Sequence, residues 1–314
     1  LLEGRERIYV TLGDYPDFDR QLIEWVANLR ARGARGAKLP GEFMALSHLL
    51  HEQRLFKSDT EQSLMSQAAS ITARAHVRAM QNCEPGLTET QLEAELMYEF
   101  MRGGARAPAY SSIVASGDNA CVMHYVKNDS VLKDGDLVLI DAGCEYEHYA
   151  ADLTRTFPVG GTYTPRQRDL YEIVLKAQIE AIRAACPGAD FNAPHNSAIR
   201  VLTEGLIDLG ILDGDLDEAI GTESYRRFTV HNCSHWLGID VHDVGDYRVG
   251  DKWRMLEAGM VITVEPGLYI PDIASFKDVK KDWRGIGIRI EDDVLIEKTG
   301  NKVLTTAVPK TVED

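Results

Sequence analysis

With 314 residues, 44% of them hydrophobic, the chain can bury a full core and fits one large domain with an appendage better than a disordered segment. A net charge of −15 argues against nucleic acid and against anionic membrane surfaces as partners, because both are repelled at long range. Five cysteines (Cys83, Cys121, Cys144, Cys186, Cys233) form no C-x-x-C pair; this argues against a disulfide framework or structural zinc site and fits a reducing, cytoplasmic compartment.

No apolar segment approaches the roughly 20 residues needed to span a bilayer, and the start carries no signal-peptide pattern. The chain begins Leu1-Leu2, so a processed or incomplete product is the expectation. Ile8 to Val10 reads as a short strand and Asp19 to Leu29 as a helix. The basic, Gly-rich run Arg30 to Lys38 lacks interleaved aromatics and reads as a solvated loop. Residues 1–57 are expected to be the remnant of an N-terminal domain.

Ser58 to Glu61 forms a capping box that opens a helix running to about Met80, and here the main domain, 58–314, begins. Thr88 to Gln91 caps a second helix that stops at Gly103-Gly104. Ser112 to Ala115 and Cys121 to Tyr125 read as strands. Asp134-Gly135 turns the chain into Leu137 to Ile140, an apolar run ending on Asp141, and a second run from Tyr149 ends on Asp152. Pairing these runs antiparallel about a turn near Glu145 to Glu147 would set Asp141 opposite Asp152. Thr164-Pro165 starts a helix that ends before Pro187-Gly188, another helix spans about 194–209, and strands are expected near Thr229 to His231, Val261 to Glu265 and Gly287 to Ile296. The order helix, helix, strands occurs twice, which points to an internal structural duplication.

Ligand-type side chains recur where strands stop. Besides Asp141 and Asp152, Val261 to Glu265 ends on a carboxylate, Gly287 to Asp292 supplies Glu291, and the stretch His231 to His242 holds three histidines, with His235 between them. Singly, an Asp closing a strand is a turn former and a lone His is a structural residue. Four acids aimed at one region, however, would strongly destabilise a core unless neutralised. A pair of divalent metal ions resolves the conflict. Four carboxylates with one imidazole suit Mn²⁺, with Zn²⁺ or Co²⁺ as alternatives, better than a thiolate site does, and in two-metal hydrolases the ions generate a shared hydroxide nucleophile. Cys144 and Cys233 read as small buried thiols.

The blocks DAGCEYEHYAADLTRTFPVGG, HNCSHWLGIDVHDVG, VEPGLYI and GIGIRIEDD resemble the signatures of aminopeptidase P, the Xaa-Pro aminopeptidase branch of the pita-bread metallopeptidases. The resemblance runs from about Arg54 to the C-terminus. It implies an α+β pita-bread fold, a pseudo-twofold antiparallel sheet covered by helices, behind a partial N-terminal domain. It further implies that Asp141 holds one metal, that Asp152 and Glu291 bridge both, and that His235 and Glu265 complete the other. His231 and His242 match histidines that act on the scissile amide and in proton transfer, with Glu265 and Arg289 beside them. His124 would line the pocket for the residue after the cut, Tyr269 would lie near the site, and Trp236 would form one of its walls. After His231 the family often has Gly, whereas Asn232-Cys233 stands here.

The implied activity is removal of an N-terminal residue that precedes proline, from peptide substrates, by a homo-oligomer, dimer or tetramer. Prolidase, restricted to Xaa-Pro dipeptides, is the nearest alternative. A non-catalytic pita-bread module that binds peptide or protein is a further one, and creatinase-like, metal-free chemistry is disfavoured by the intact ligand set.

Overall fold

Short parallel strands joined by a helix make up the start of the chain. In the computed structural model, which describes residues 1–313, β1 (Arg7–Val10) pairs in parallel with β2 (Glu42–Ala45), Arg7 against Glu42 and Val10 against Ala45. The connection is α1 (Pro16–Ala31), with proline in its first turn and Asp17 and Asp19 at its positive end. The basic run after it is a mostly exposed turn and loop. α2 (Leu46–Leu55) follows and carries no capping signature. Leu1–Arg54 forms one compact unit and Leu55 onward another.

In the second unit, capping chemistry places the helices. Ser58 Oγ accepts the Glu61 amide while the Glu61 carboxylate accepts the Ser58 amide at 2.8 Å, which starts α3 (Asp59–Gln81). Thr88 with Gln91 does the same for α4 (Glu89–Arg102), and Thr164 with Gln167 for α5 (Pro165–Ala184). α6 (Ala193–Asp208) and α7 (Leu216–Gly221) complete the helices.

Two antiparallel systems lie under the helices. The first holds β3 (Ala107–Pro108), β4 (Ile113–Ser116), β5 (Leu137–Asp141), β6 (Cys144–Tyr146), β7 (Tyr149–Ala150) and β8 (Thr154–Pro158), in the orders β4-β5-β8 and β3-β6-β7. The second holds β9 (Arg248–Val249), β10 (Lys252–Trp253), β11 (Val261–Val264), β12 (Gly267–Ile270), β13 (Ile286–Arg289), β14 (Asp292–Ile296) and β15 (Asn301–Val303), in the orders β11-β14-β15, β12-β13 and β9-β10. Leu92, Leu96 and Phe100 of α4 bury against Val114, Val138 and Ile140. Leu170 and Val174 of α5 and Leu202 and Leu206 of α6 bury with Ile262, Val264, Ile288 and Val294. Each helix pair thus seals one system, the expected α+β duplication.

The two systems are stitched along one seam. Glu291 N donates to Thr154 O at 3.1 Å, and Thr156 Oγ1 donates to Arg289 O at 3.0 Å. Arg155 is 1% exposed and donates to Glu291 O at 2.7 Å and to Asp292 Oδ1 at 2.8 Å. Burial pushes the Asp292 carboxyl up, but Arg155 and Lys310 outweigh it and hold the group at about 2.

Four sequence expectations change. The hairpin turns one residue later, at Glu147 and His148, which both have positive φ (48° and 71°); the Asn-Gly or Asp-Gly signal that marks such a turn is absent. Asp141 therefore opposes Thr154 instead of Asp152, and Asp152, two residues earlier on the returning chain, is its diagonal neighbour on the same face. Gly143 makes the crossing possible, since a Cβ there would lie 1.7 Å from Ala151 O. Cys121 to Tyr125 is not a strand: Gly117–Cys121 winds into a 3-10 turn and a loop follows. Thr229 to His231 is also irregular, because the Phe228 and Thr229 amides bond back to Tyr225 O. The last run splits into β13 and β14 where it exchanges β12 for β11 as its partner.

His76 on α3 yields a test of this packing. Its Nε2 bonds Ala142 O at 2.9 Å and its Nδ1 is buried without a hydrogen-bond partner among the described residues. Burial, aided by Arg155, lowers its pKa to about 4 from 6.5. The unfolded chain takes up this proton below pH 6.5 and the folded chain only near 4, so this contribution to stability is lost as pH falls across that window, by roughly 3 kcal/mol in total. In denaturant titrations, His76→Gln, which keeps an N–H for Ala142, should lose less stability than the parent between pH 7 and pH 4. Equal losses in the two proteins would refute the assignment.

Candidate metal centre

All four predicted carboxylates sit where strands end or exchange partners. Asp141 closes β5, Asp152 precedes β8, Glu265 follows β11 and Glu291 lies between β13 and β14. His235 is fixed from a loop beside β11: its amide donates to Thr263 Oγ1 at 3.2 Å and Thr263 N donates to His235 O at 3.0 Å. The five side chains meet. Ligand atoms of Asp152, His235 and Glu291 all lie within 4.8 Å of one another. His235 Nε2 is 3.3 Å from Asp152 Oδ2 and 3.6 Å from Glu265 Oε1. Asp141 is joined to Asp152 through Tyr110, whose hydroxyl stands 2.7 Å from Asp141 Oδ1 and 2.5 Å from Asp152 Oδ1.

The electrostatics show what this cluster lacks. Four carboxylates face a single guanidinium, Arg289, whose Nη2 donates to Asp141 Oδ2 at 2.5 Å. Burial, before mutual repulsion, raises the Asp141 carboxyl, lifts Glu265 to about 7 and drives Glu291 well above the ordinary range. His235 is raised as well, but by its neighbours against its own burial. Burial lowers it, but the bond to Asp152 and the charge of Glu265 outweigh burial and lift it to about 9. His235 Nδ1 donates to Trp236 O at 3.0 Å, so Nε2 is the nitrogen left to face the acids. Tyr110 has one hydroxyl proton for two carboxylates. An imidazole lone pair and four acid groups converging on one point are a donor set for a divalent cation, hard in its oxygens with one borderline nitrogen.

Thr154 Oγ1 donates to Glu291 Oε2 at 2.6 Å, and Arg289 Nε donates to Thr154 Oγ1 at 3.2 Å. Arg289 Nη1 donates to the Tyr269 oxygen at 3.0 Å, and the Tyr269 hydroxyl lies 2.8 Å from His231 Nε2. His231 Nδ1 is 2.8 Å from Asn232 O, which can only accept, so Nδ1 carries the hydrogen and Nε2 accepts from Tyr269. Burial and Arg289 lower the His231 pKa to about 4, which keeps the ring neutral. The result is a directed relay from Arg289 through Tyr269 to His231.

These groups open onto a cavity of about 1140 Å³, lined among others by Met123, His124, Val126, His231, His242 and Trp253. His242 packs edge-on to His235, ring centres 4.3 Å apart. Tyr269 is buried behind His231 and Arg289, both of which line the cavity. Trp236 is not a wall of the cavity. It is fully buried, stacked on Tyr247 and 4.6 Å from Phe191. Consecutive residues of an extended segment point to opposite faces, so with His235 turned inward Trp236 enters the core, and Phe191 and Tyr247 form the wall in its place. Cys144 and Cys233 are buried thiols pushed up to about 11 and about 12 by burial.

Sequence reasoning missed Tyr110 and Thr154. The spacing of Asp152 and Thr154, two apart on one strand face, was a usable signal. Tyr110 carried none, since it reaches the cluster from the segment between β3 and β4.

Such a site under duplicated helix-and-sheet halves is a candidate divalent-metal centre. The sequence pattern of metallopeptidase family M24 matches residues 63–298, and the chain belongs to that family. Within it, the chain is 47% identical over its whole length to the Xaa-Pro aminopeptidase of Escherichia coli, of which it spans 70%, and 53% identical over 85% of its length to that of Haemophilus influenzae, of which it spans 61%. The fold matches Pseudomonas aeruginosa aminopeptidase PepP with a TM-score of 0.94 at 55% identity, over 99% of this chain and 70% of that one. A variant of Escherichia coli aminopeptidase P in complex with substrate matches at a TM-score of 0.92, with 47% identity over 100% of this chain and 70% of that one. The pita-bread architecture is therefore that of this chain as well.

Removing the Tyr110 hydroxyl leaves Asp141 and Asp152 without their shared donor. Groups that orient metal ligands contribute about 10- to 100-fold in affinity. Tyr110→Phe should therefore bind a divalent ion at least about tenfold more weakly by calorimetry, and unchanged affinity would show that the hydroxyl does not organise the pair.

Proposed function

We propose that this chain hydrolyses the bond between an N-terminal residue and a following proline, as an Xaa-Pro aminopeptidase. The observation that carries the reading is the five-residue cage of Asp141, Asp152, His235, Glu265 and Glu291 buried at the base of a peptide-sized cavity. Asp141 would hold one ion, Asp152 and Glu291 would bridge two, and His235 with Glu265 would complete the second. The oxygen-rich set favours Mn²⁺ over Zn²⁺ or Co²⁺. A bound divalent pair supplies Lewis-acid polarisation of the scissile carbonyl and an acidified water as nucleophile at neutral pH.

The chain's own residues do the rest. Arg289 fixes Asp141 and, through Tyr269, the orientation of His231. Glu265, whose Oε2 lies 3.5 Å from His231 Nδ1, would accept the proton released on attack. His242, beside His235 at the cavity surface, faces the oxygen that gains charge in the tetrahedral intermediate. The carboxylates hold the substrate's free α-amine. Proline's amide has no N–H and its ring is rigid, so the wall carrying His124, Met123 and Val126 recognises shape in place of a donor. The relatives at 47% and 53% identity are Xaa-Pro aminopeptidases, which favours that reading over prolidase. Residues 1–57 as part of an N-terminal domain, residues 58–314 as the catalytic domain, a homo-oligomeric assembly and a cytoplasmic location complete the proposal.

Chelator-treated protein should lose, and on adding Mn²⁺ regain, cleavage of a tripeptide such as Arg-Pro-Pro, with about two ions per chain by elemental analysis. Asp152→Ala should lower turnover by several orders of magnitude. Full activity in that variant would sink the metal assignment, and turnover confined to Xaa-Pro dipeptides would make the enzyme a prolidase.

A further inference from the structure

The wall that carries His124 belongs to no sheet. Between β4 and Val131 the chain makes a 3-10 turn and then runs as a loop through Val122, Met123, His124, Tyr125 and Val126. Strand pairing does not hold residues 122–126, and backbone bonding to α4 comes only at the far end, where Glu89 N donates to Ser130 O at 2.9 Å, yet three residues of the segment line the cavity. A loop in that position needs another anchor.

The anchor is on α4. Glu89, the first residue of that helix, is 0% exposed. Its carboxylate accepts five hydrogen bonds, all from this segment and the residue that opens it. Oε1 takes Ser116 N at 2.7 Å, Ser116 Oγ at 2.7 Å and Asn119 Nδ2 at 3.1 Å; Oε2 takes Tyr125 OH at 2.7 Å and Ser130 N at 2.9 Å. One turn along α4, Glu93 accepts Asn128 Nδ2 at 2.9 Å, and Thr90 Oγ1 donates to Asn128 O at 2.5 Å. Asn128 is buried in the left-handed region, φ 48°, and its Oδ1 accepts Val114 N at 2.9 Å. A carboxylate has about four lone-pair sites, so Glu89 is saturated by donors drawn from both ends of the loop. Tyr125, one of those donors, is the immediate neighbour of His124.

We propose that Glu89 is a positioning residue for peptide hydrolysis: by tying both ends of the 116–130 loop to the start of α4, it holds His124 at the distance the substrate's proline requires. This rests on the Xaa-Pro reading and on the place of His124 in it. The physical warrant is pre-organisation. A substrate wall on an unpaired loop is as precise as its supports, and misplacement by about 1 Å is enough to lose a large part of a rate. Glutamine at this position keeps the volume but replaces one accepting oxygen with an N–H₂ group that faces donors.

The test combines a double-mutant cycle with hydrogen exchange on the metal-loaded enzyme. Glu89→Gln, His124→Ala and the double variant are assayed on a Xaa-Pro tripeptide, and amide exchange is followed over residues 116–130. Glu89→Gln should lower kcat/KM roughly tenfold or more, speed exchange in that loop and leave metal content unchanged. The double variant should be no worse than His124→Ala alone, because the two changes remove the same contact. Penalties that multiply, or unchanged loop exchange with unchanged kinetics, would overturn the proposal. If Glu89→Gln does not fold, Tyr125→Phe, which removes one of the five donors, is read by the same cycle and judged by the same outcomes. Full turnover in His124→Ala would instead remove the reading of His124 and this proposal with it, whereas absence of Xaa-Pro cleavage by the parent enzyme would reject the activity itself.

Discussion

Mutual repulsion among four carboxylates, two buried and two partly buried, is the constraint around which the second unit is built. Asp141, Asp152, Glu265 and Glu291 face the Arg289 guanidinium and the imidazoles of His235 and His231, and such a group is strongly destabilising unless cations and donors are supplied. Tyr110, Thr154 and Arg289 meet part of the demand by donating to Asp141, Asp152 and Glu291. Divalent metal, as befits an M24 metallopeptidase, answers the rest. The same strain that makes the apo cluster costly gives it affinity for divalent cations.

Adjacent acids at the passage from β13 into β14 show how finely burial is sorted. Glu291 is driven far up by burial and neighbouring acids, while Asp292, on the opposite face, is held at about 2 by Arg155 and Lys310 against the effect of its own burial. One residue points at the metal centre and the next at an ion pair in the seam between the two halves. Arg155 also binds Glu291 O. The seam that joins the duplicated halves therefore also aims a ligand, so that folding and site assembly are one event.

The cavity divides its work between rigid and tied elements. Its base is made of strand ends, whose positions follow from ladder register. Its sides come from loops: the segment bearing His124 is held by α4, and the segment bearing His235 and His242 runs beside β11. Loops fixed by saturated side-chain networks can carry specificity without a strand's regular geometry.

The amino-acid sequence by itself determined the helices with capping boxes, the duplicated order of elements, and the four acids at or near strand ends, because caps, apolar runs and terminal acids are local patterns, whereas the choice of His235 among three histidines came from the family resemblance. It also carried the resemblance to aminopeptidase P. It misplaced the hairpin turn by one residue, since Glu147 and His148 adopt positive φ without a glycine, and it assigned Trp236 to the cavity because one dimension does not say which face of an extended segment is inward. Only the tertiary structure brought Tyr110 between Asp141 and Asp152, placed Thr154 on Glu291 and set Glu89 under the His124 loop. These are contacts between residues dozens to more than a hundred positions apart, fixed by register and packing, and no local pattern encodes which distant donor will meet a buried charge.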